Sequence, residues 1–275
     1  MQKFIAREKV FNLNKKTYIM GILNITPDSF SDGNLYFNDD EALNHALLME
    51  KQGADIIDIG PQSTRPGHVP ITADEEISRL KTILPKICKA VKCAISIDTF
   101  HPQTAEFALN FGVHIINDVS GVVNPAMTKI VSKYGAGYIL MHNGNPGKNA
   151  AEAVHNSLKS MAKQAEKSGI NRANICLDPG IGFGKDISQN VDLIRNTSRV
   201  KVDDYAYLLG LSRKRVIGYA TDEDDPKERD FGSNIANIVG VIQGADIIRV
   251  HDVKLAVKSM KILDKLMKFE DNQNG

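Results

Sequence analysis

The sequence predicts an α/β fold, a single (β/α)8 barrel of the TIM type spanning residues 1–275 as one domain, with a short N-terminal β-hairpin. Three observations predict it. Short, nearly continuous apolar runs rich in Ile and Leu recur eight times after residue 17, as strands covered on both faces should. Each run is followed by a stretch with helical spacing, and such alternation implies a parallel sheet. Eight units in 275 residues fit a closed barrel, which at this size forms one domain. An open doubly wound sheet would need a G-x-G-x-x-G turn after an early strand. Gly180-Ile-Gly-Phe-Gly184 lies late in the chain and lacks that spacing.

The elements follow in order. Residues 3–14 alternate apolar and polar around Arg7-Glu8-Lys9, the pattern of a hairpin that could plug one end of a larger fold. The first barrel strand is 18–24, and its helix, 39–53, stops at Gly53. Strand 54–60 leads to helix 74–91, with Glu early and Lys late, as the helix dipole favours. Strands 93–98, 114–118 and 137–142 precede helices 102–112, 125–135 and 151–169. Strand 174–179 leads to a helix near 187–199. Strand 205–210 leads to a helical region reaching 243, interrupted by the acidic stretch 221–230. Strand 246–251 and helix 253–269 complete the series, and the polar last residues are expected to fray.

Composition narrows the function. Hydrophobic residues at 42% can fill a sizeable core, and a net charge of +1 gives no general attraction to nucleic acid or anionic membrane. No apolar run is long enough to span a bilayer, and the first residues lack the apolar centre of a signal peptide. Cys88, Cys93 and Cys176 suit a reducing compartment, so a cytoplasmic location is expected. Cys88 and Cys93 read as small apolar groups rather than metal ligands, because no second cysteine pair or suitably spaced histidine accompanies them.

Active sites of such barrels form at the C-terminal ends of the strands. Those ends carry Asn24, Asp58, Asp98, Asn117 with Asp118, His142, Asp178, Ser212-Arg213-Lys214, and Arg249 with His251. Each alone has a structural explanation: Asp118 can cap a turn, and Asp58 can pair with a base. Together they point to a site. Asp98, Asn117 and Asp178 offer acceptors for a planar amino-pyrimidine, and Pro179 fixes the strand exit beside Asp178. Arg249, His251, Lys214 and Arg65 suggest a phosphate-bearing group. Arg249 and His251 share one strand face, and a helix beginning within 212–216 adds free N–H groups. Arg213-Lys214-Arg215 could be a solvated patch, but it directly follows a barrel strand. Loops 25–37 and 61–72, polar and without periodicity, are candidate covers for the pocket.

These residues fall in ordered motifs. They are Gly-Ile-Leu-Asn-Ile-Thr-Pro-Asp-Ser-Phe-Ser-Asp-Gly from 21, Asp-Ile-Gly and Ser-Thr-Arg-Pro-Gly within 58–67, Ser-Ile-Asp-Thr from 96, and Ile-Ile-Asn-Asp from 115. Met-His-Asn from 141, Leu-Asp-Pro-Gly-Ile-Gly-Phe-Gly-Lys from 177, Leu-Gly-Leu-Ser-Arg-Lys from 209 and Arg-Val-His-Asp from 249 continue them. Through nearly its whole length the chain resembles the dihydropteroate synthase family.

The resemblance implies a transferase of folate biosynthesis and a sulfonamide target. The reaction would join 6-hydroxymethyl-7,8-dihydropterin pyrophosphate to p-aminobenzoate, with Mg2+, by a dissociative substitution. It implies that Asp98, Asn117, Asp178 and Lys214 bind the pterin, with Met141 and Gly210 alongside. Asn24 would help hold Mg2+ and pyrophosphate, and Arg249 and His251 would hold the pyrophosphate. Phe30, Asp32, Thr64, Arg65 and Pro66 would come over the site on the two loops, and the p-aminobenzoate carboxylate would lie near Lys214 and Arg215. A homodimer, formed through the last helices, is also implied. The chain departs from the family at Pro61-Gln62, where Gly-Glu is usual, at Gly144, and at Arg215, often serine. Three rivals remain at this level: a pterin-dependent methyltransferase barrel, which needs no pyrophosphate cations; a non-catalytic pterin-binding protein; and a metal hydrolase using His142 and His251.

Overall fold

In a computed structural model the described residues are 2–13, 15–25, 39–62 and 69–267. β1 (Lys3–Ala6) and β2 (Lys9–Asn12) form an antiparallel hairpin, turning at Arg7 with φ of 58°. The barrel strands are β3 (Tyr18–Asn24), β4 (Ile56–Gly60), β5 (Ala94–Asp98), β6 (Ile115–Asp118), β7 (Gly137–Met141), β8 (Ile175–Asp178), β9 (Ala206–Leu209) and β10 (Ile247–Val250). They pair in parallel in chain order, and β10 closes the barrel against β3. The helices are α1 (Asp39–Gln52), α2 (Ala73–Leu80), α3 (Leu84–Ala90), α4 (Pro102–Asn110), α5 (Pro125–Tyr134), α6 (Ala150–Lys167), α7 (Ile187–Arg195), α8 (Thr197–Val200), α9 (Arg215–Thr221), α10 (Asp230–Ile242) and α11 (Val253–Met267).

The expected eight-stranded parallel barrel and its N-terminal hairpin are both present. Two expected helices are broken. The 74–91 stretch divides into α2 and α3, because Pro85 lacks an N–H and its ring conflicts with the carbonyl four residues earlier. Pro85 sits instead in the first turn of α3. The 187–199 stretch divides at Asn196, whose side-chain amide donates back to the Asp192 carbonyl and carboxylate. Inside the acidic stretch, Arg229 donates to the Glu223 and Asp224 carbonyls, which folds the stretch on itself, and to the Arg213 carbonyl just past β9.

The period-two rule sorts the barrel interior into layers. Met20, Ile56, Ala94, Ile115, Ile139, Cys176, Leu208 and Ile247 form one buried apolar cluster with Phe4, Ala6, Phe11 and Leu13 of the N-terminal segment. The hairpin therefore closes the barrel at the N-terminal ends of the strands. Two residues further along the same strand faces stand Asp58, Ser96, Asn117, Met141, Asp178 and Arg249. The interior thus changes from apolar to largely polar groups within one step of the pleat, and the polar layer lies at the C-terminal mouth.

Candidate active site

Register brings the strand-end residues side by side: Asp98 lies beside Asn117, and Met141 beside Asp178. Arg249 is the centre of one half of the site. Its Nε donates to Asp58 Oδ2 at 2.7 Å and its Nη2 to Asp98 Oδ2 at 3.1 Å. Asn117 Nδ2 donates to the same Asp58 oxygen at 3.1 Å. Asp58 is 0% exposed, whereas the Arg249 side chain keeps 18% exposure toward the mouth.

The other half is built by the loop after β8. Asp178 Oδ1 accepts from the Gly180 N–H at 2.7 Å. Lys214 Nζ donates to the Ile181 carbonyl and sits 4.7 Å from the centroid of the Phe183 ring. Gly182, at φ +84°, passes under the lysine stem, and a Cβ there would stand 3.1 Å from Lys214 Cδ. The two halves meet at Gly210, where a Cβ would lie 3.6 Å from Asp178 Oδ2 and 3.8 Å from Arg249 Cβ. Asn24 joins the rim across Gly60, where a Cβ would lie 3.3 Å from Asn24 Oδ1 and 4.0 Å from Asp98 Cβ. His251 Nδ1 is 3.0 Å from Ser212 Oγ, which also accepts the His251 backbone N–H at 3.2 Å.

Of the basic run, Lys214 alone contacts the pocket loop. Arg213 turns away to a bidentate pair with Asp230 at 2.7 and 2.6 Å, and Arg215 is exposed at the start of α9. Phe30, Asp32, Thr64, Arg65 and Pro66 lie outside the described residues.

Burial sets the protonation of this mouth. It pushes Asp98 up to about 7, against the pull of Arg249 and with Asp58, Glu76 and Asp118 adding to the rise. Asp178 is also raised by burial, with Lys214 and the Gly180 N–H opposing. Lys214 is pushed down to about 8 by burial, although Asp178 favours its charge. Burial works against the charge of Arg249 as well, but Asp58 and Asp98 outweigh it and its pKa is raised. His142 is pushed down to about 4 by burial and by the neighbouring Lys185, so it is neutral near pH 7.

Four oxygens in this layer, Asp58 Oδ1, Ser96 Oγ, Asp98 Oδ1 and Asn117 Oδ1, are buried with no partner among the described residues. A planar ligand bearing several N–H groups would pair with them once the side chains over them, Arg249 among these, shift to admit it. No three His, Cys, Asp or Glu side chains among the described residues form a metal-binding group.

Sequence reading undervalued three residues. Asp58 is the hub that joins Arg249 to Asn117; an acid inside Ile-Ile-Asp-Ile-Gly was the available signal. Glu76, 0% exposed, accepts from Gln62 Nε2 at 2.8 Å and Thr99 Oγ1 at 2.6 Å. Nothing in the sequence separates it from Asp74 and Glu75 in the same first turn. The Pro61-Gln62 departure therefore leaves one buried carboxylate at this point, hydrogen-bonded by an amide. Lys185 is the third, and its Nζ is enclosed by backbone carbonyls.

Comparison with known proteins agrees with this geometry. The pattern of the pterin binding enzyme family matches residues 20–251. A dihydropteroate synthase of Clostridium beijerinckii is 41% identical over 94% of this chain and 98% of its own length. A Clostridium difficile dihydropteroate synthase, crystallised in the presence of pteroic acid, superposes with a TM-score of 0.89 at 42% identity, covering 93% of this chain and 98% of that one. A Xanthomonas albilineans dihydropteroate synthase with 4-aminobenzoic acid superposes with a TM-score of 0.91 at 33% identity, covering 97% and 98%.

Proposed function

The chain belongs to the pterin-binding enzyme family, among the dihydropteroate synthases, and from that premise we propose how its own side chains carry the reaction. The enzyme is a transferase of folate biosynthesis. It joins 6-hydroxymethyl-7,8-dihydropterin pyrophosphate to p-aminobenzoate, giving 7,8-dihydropteroate and pyrophosphate.

One observation carries the assignment of residues: the buried, unpartnered acceptors on Asp58, Asp98 and Asn117, facing Asp178 and Lys214 across one mouth. Leaving a buried acceptor unpaired costs about 1–3 kcal/mol. A dihydropterin supplies amino and ring N–H donors in one plane and recovers that cost, while Lys214 donates to an acceptor on the ring. Met141, buried beside Asp178, packs against the heterocycle, and Gly210 leaves room for it.

The C–O bond at the pterin methylene breaks, and its electron pair leaves with the pyrophosphate. Arg249 and His251 hold that leaving group and stabilise its growing charge. The cation left on the pterin is delocalised over the ring and stabilised by the Asp98 carboxylate. The amine lone pair of p-aminobenzoate then forms the C–N bond at the methylene, and the amine's proton passes to the released pyrophosphate or to water. Its carboxylate is held near Lys214 and the exposed Arg215 at the start of α9, a helix with no side-chain cap. Phe30, Asp32, Thr64, Arg65 and Pro66 complete the site in this reading. No nucleophilic serine or cysteine takes part, in keeping with the dissociative route.

Magnesium fits this donor set as an ion carried largely by the substrate. Asn24 presents one hard carboxamide oxygen at the rim, and Mg2+ is commonly bound by one or two protein oxygens together with substrate phosphates and water. When bound, it would neutralise charge on the departing pyrophosphate.

Two further readings accompany the reaction. The first is a homodimer through α10 and α11, whose outer faces expose Phe231, Ile235, Ile242, Ile262 and Leu266 in adjacent stripes. The second is a cytoplasmic location, in keeping with three free cysteines. No helix among the described residues is long and apolar enough to cross a membrane.

A coupled assay for pyrophosphate, with both substrates and Mg2+, tests the activity. Pyrophosphate and dihydropteroate should form in equal amounts. Tight pterin binding without pyrophosphate release would identify a non-catalytic binding protein instead.

A further inference from the structure

The loop that builds the Asp178 and Lys214 half of the site is held by a group outside the reaction chemistry. Lys185 Nζ donates to three backbone carbonyls: His142 at 3.2 Å, Gly180 at 2.8 Å and Phe183 at 3.0 Å. An ammonium has three N–H donors, so this set saturates it. The three carbonyls come from two loops, one after β7 and one after β8. The lysine therefore acts as a built-in cation that joins them.

The joint is tight on both sides of the lysine. A Cβ on Gly180, at φ +67°, would fall 1.9 Å from the His142 carbonyl oxygen. A Cβ on Gly184, at φ +66°, would fall 2.7 Å from Gly144 Cα. The His142 N–H also donates to the Asp178 carbonyl at 2.9 Å. Two backbones meet here without side chains between them, and their carbonyls point at one place. Without a cation, those dipoles would repel one another in a half-buried setting.

Every pocket contact of this loop lies within the four residues before Gly184. Gly180 donates to Asp178, Ile181 accepts from Lys214, Gly182 cradles the Lys214 stem, and Phe183 lies against its ammonium. Two of these four, Gly180 and Phe183, are also the loop residues whose carbonyls Lys185 holds. We propose that Lys185 is a positioning residue: its ammonium, clamped by the His142, Gly180 and Phe183 carbonyls, fixes the orientation of Asp178 and Lys214 and so sets affinity for the pterin. The inference rests on the pterin role proposed above for Asp178 and Lys214. Burial pushes the Lys185 ammonium down to about 8, with Asp178 opposing, so it remains charged near neutral pH.

The carbonyls that Lys185 holds belong to the loops after β7 and β8, on the Asp178 and Lys214 side of the mouth. Among the described residues Arg249 donates to Asp58 and Asp98, and His251 is hydrogen-bonded to Ser212. Lys185→Met should therefore separate the two ends of the substrate. The test compares wild type, K185M and K185R for two ligands: 6-hydroxymethyl-7,8-dihydropterin by titration calorimetry, and inorganic pyrophosphate with Mg2+ by competition. K185M should weaken the free pterin about tenfold or more and leave pyrophosphate within about twofold, and K185R should recover part of the loss. Equal weakening of both ligands would indicate general loosening and overturn the proposal, as would unchanged pterin affinity. If K185M does not fold by circular dichroism, K185Q, with two amide donors in place of three, carries the same comparison. A wild type that binds no pterin would instead remove the functional reading on which the inference rests.

Discussion

At the scale of single residues, the site is governed by how little water reaches its charges. Asp98 is pushed up to about 7 and Lys214 down to about 8, both chiefly by burial. Asp98 stabilises a cation only when ionised, which requires a pH above about 7; Lys214 loses its charge above about 8. The pH profile of kcat/KM for the pterin substrate should therefore rise through about 7 and fall beyond about 8. K214R should move the falling limb to higher pH, because a guanidinium stays charged. A flat profile from about pH 5 to pH 10 would remove both groups from the reaction. Asp178→Asn replaces one acceptor by a donor and should weaken the free pterin by about 1.5–3 kcal/mol, read by calorimetry; unchanged affinity would take Asp178 out of the pocket. Arg249→Ala leaves Asp58 and Asp98 without their shared partner, and such a loss typically costs about 3–5 kcal/mol in a buried setting. It should lower turnover and the urea midpoint together, and normal turnover would contradict the pyrophosphate role.

At the scale of elements, the hairpin and the polar layer lie at opposite ends of the same strands. Phe4 is fully buried against the apolar layer, and Gly137 admits its ring so closely that a Cβ there would fall 2.7 Å from Phe4 Cζ. Phe4→Ala should cost about 3–5 kcal/mol of stability by urea unfolding, while the folded protein keeps its KM for both substrates. A large change in KM would mean that the plug and the mouth are coupled. The eight parallel strands agree with the sequence expectation because each apolar run is short and is followed by a stretch of helical spacing. The helix expectations failed where local chemistry interrupted an otherwise regular pattern, at Pro85 and at Asn196. Pro85 was a visible signal. Asn196 was not, because its side chain folds back only once Asp192 is on the preceding turn.

At the scale of the whole molecule, the outer face of α10 and α11 exposes apolar side chains. Phe231 and Ile235 are 69% and 48% exposed on one helix, and Ile262 and Leu266 are 60% and 66% exposed on the next. Isolated apolar residues on a surface need no explanation, but adjoining stripes on packed neighbours favour a second copy of the chain. Ile235→Lys should convert a dimer to a monomer in analytical ultracentrifugation, with pyrophosphate release per chain largely retained. A wild-type protein that sediments as a monomer would end the dimer reading.

Much of this protein was determined along the chain. The eight apolar runs, their polar ends and the spacing between them specify a parallel barrel, because strand parity and helix periodicity are local properties of the backbone. Strand ends also named Asn24, Asp98, Asn117, Asp178, Arg249 and His251 as neighbours at one mouth, since closing a barrel brings equivalent positions together. What only the tertiary structure decided is who holds whom. Asp58 reaches Arg249, Lys214 reaches Ile181 while Arg213 turns to Asp230, and Lys185 gathers carbonyls from two loops. Those choices depend on side-chain direction, burial and a few glycine contacts between segments far apart in sequence, and no local pattern carries that information.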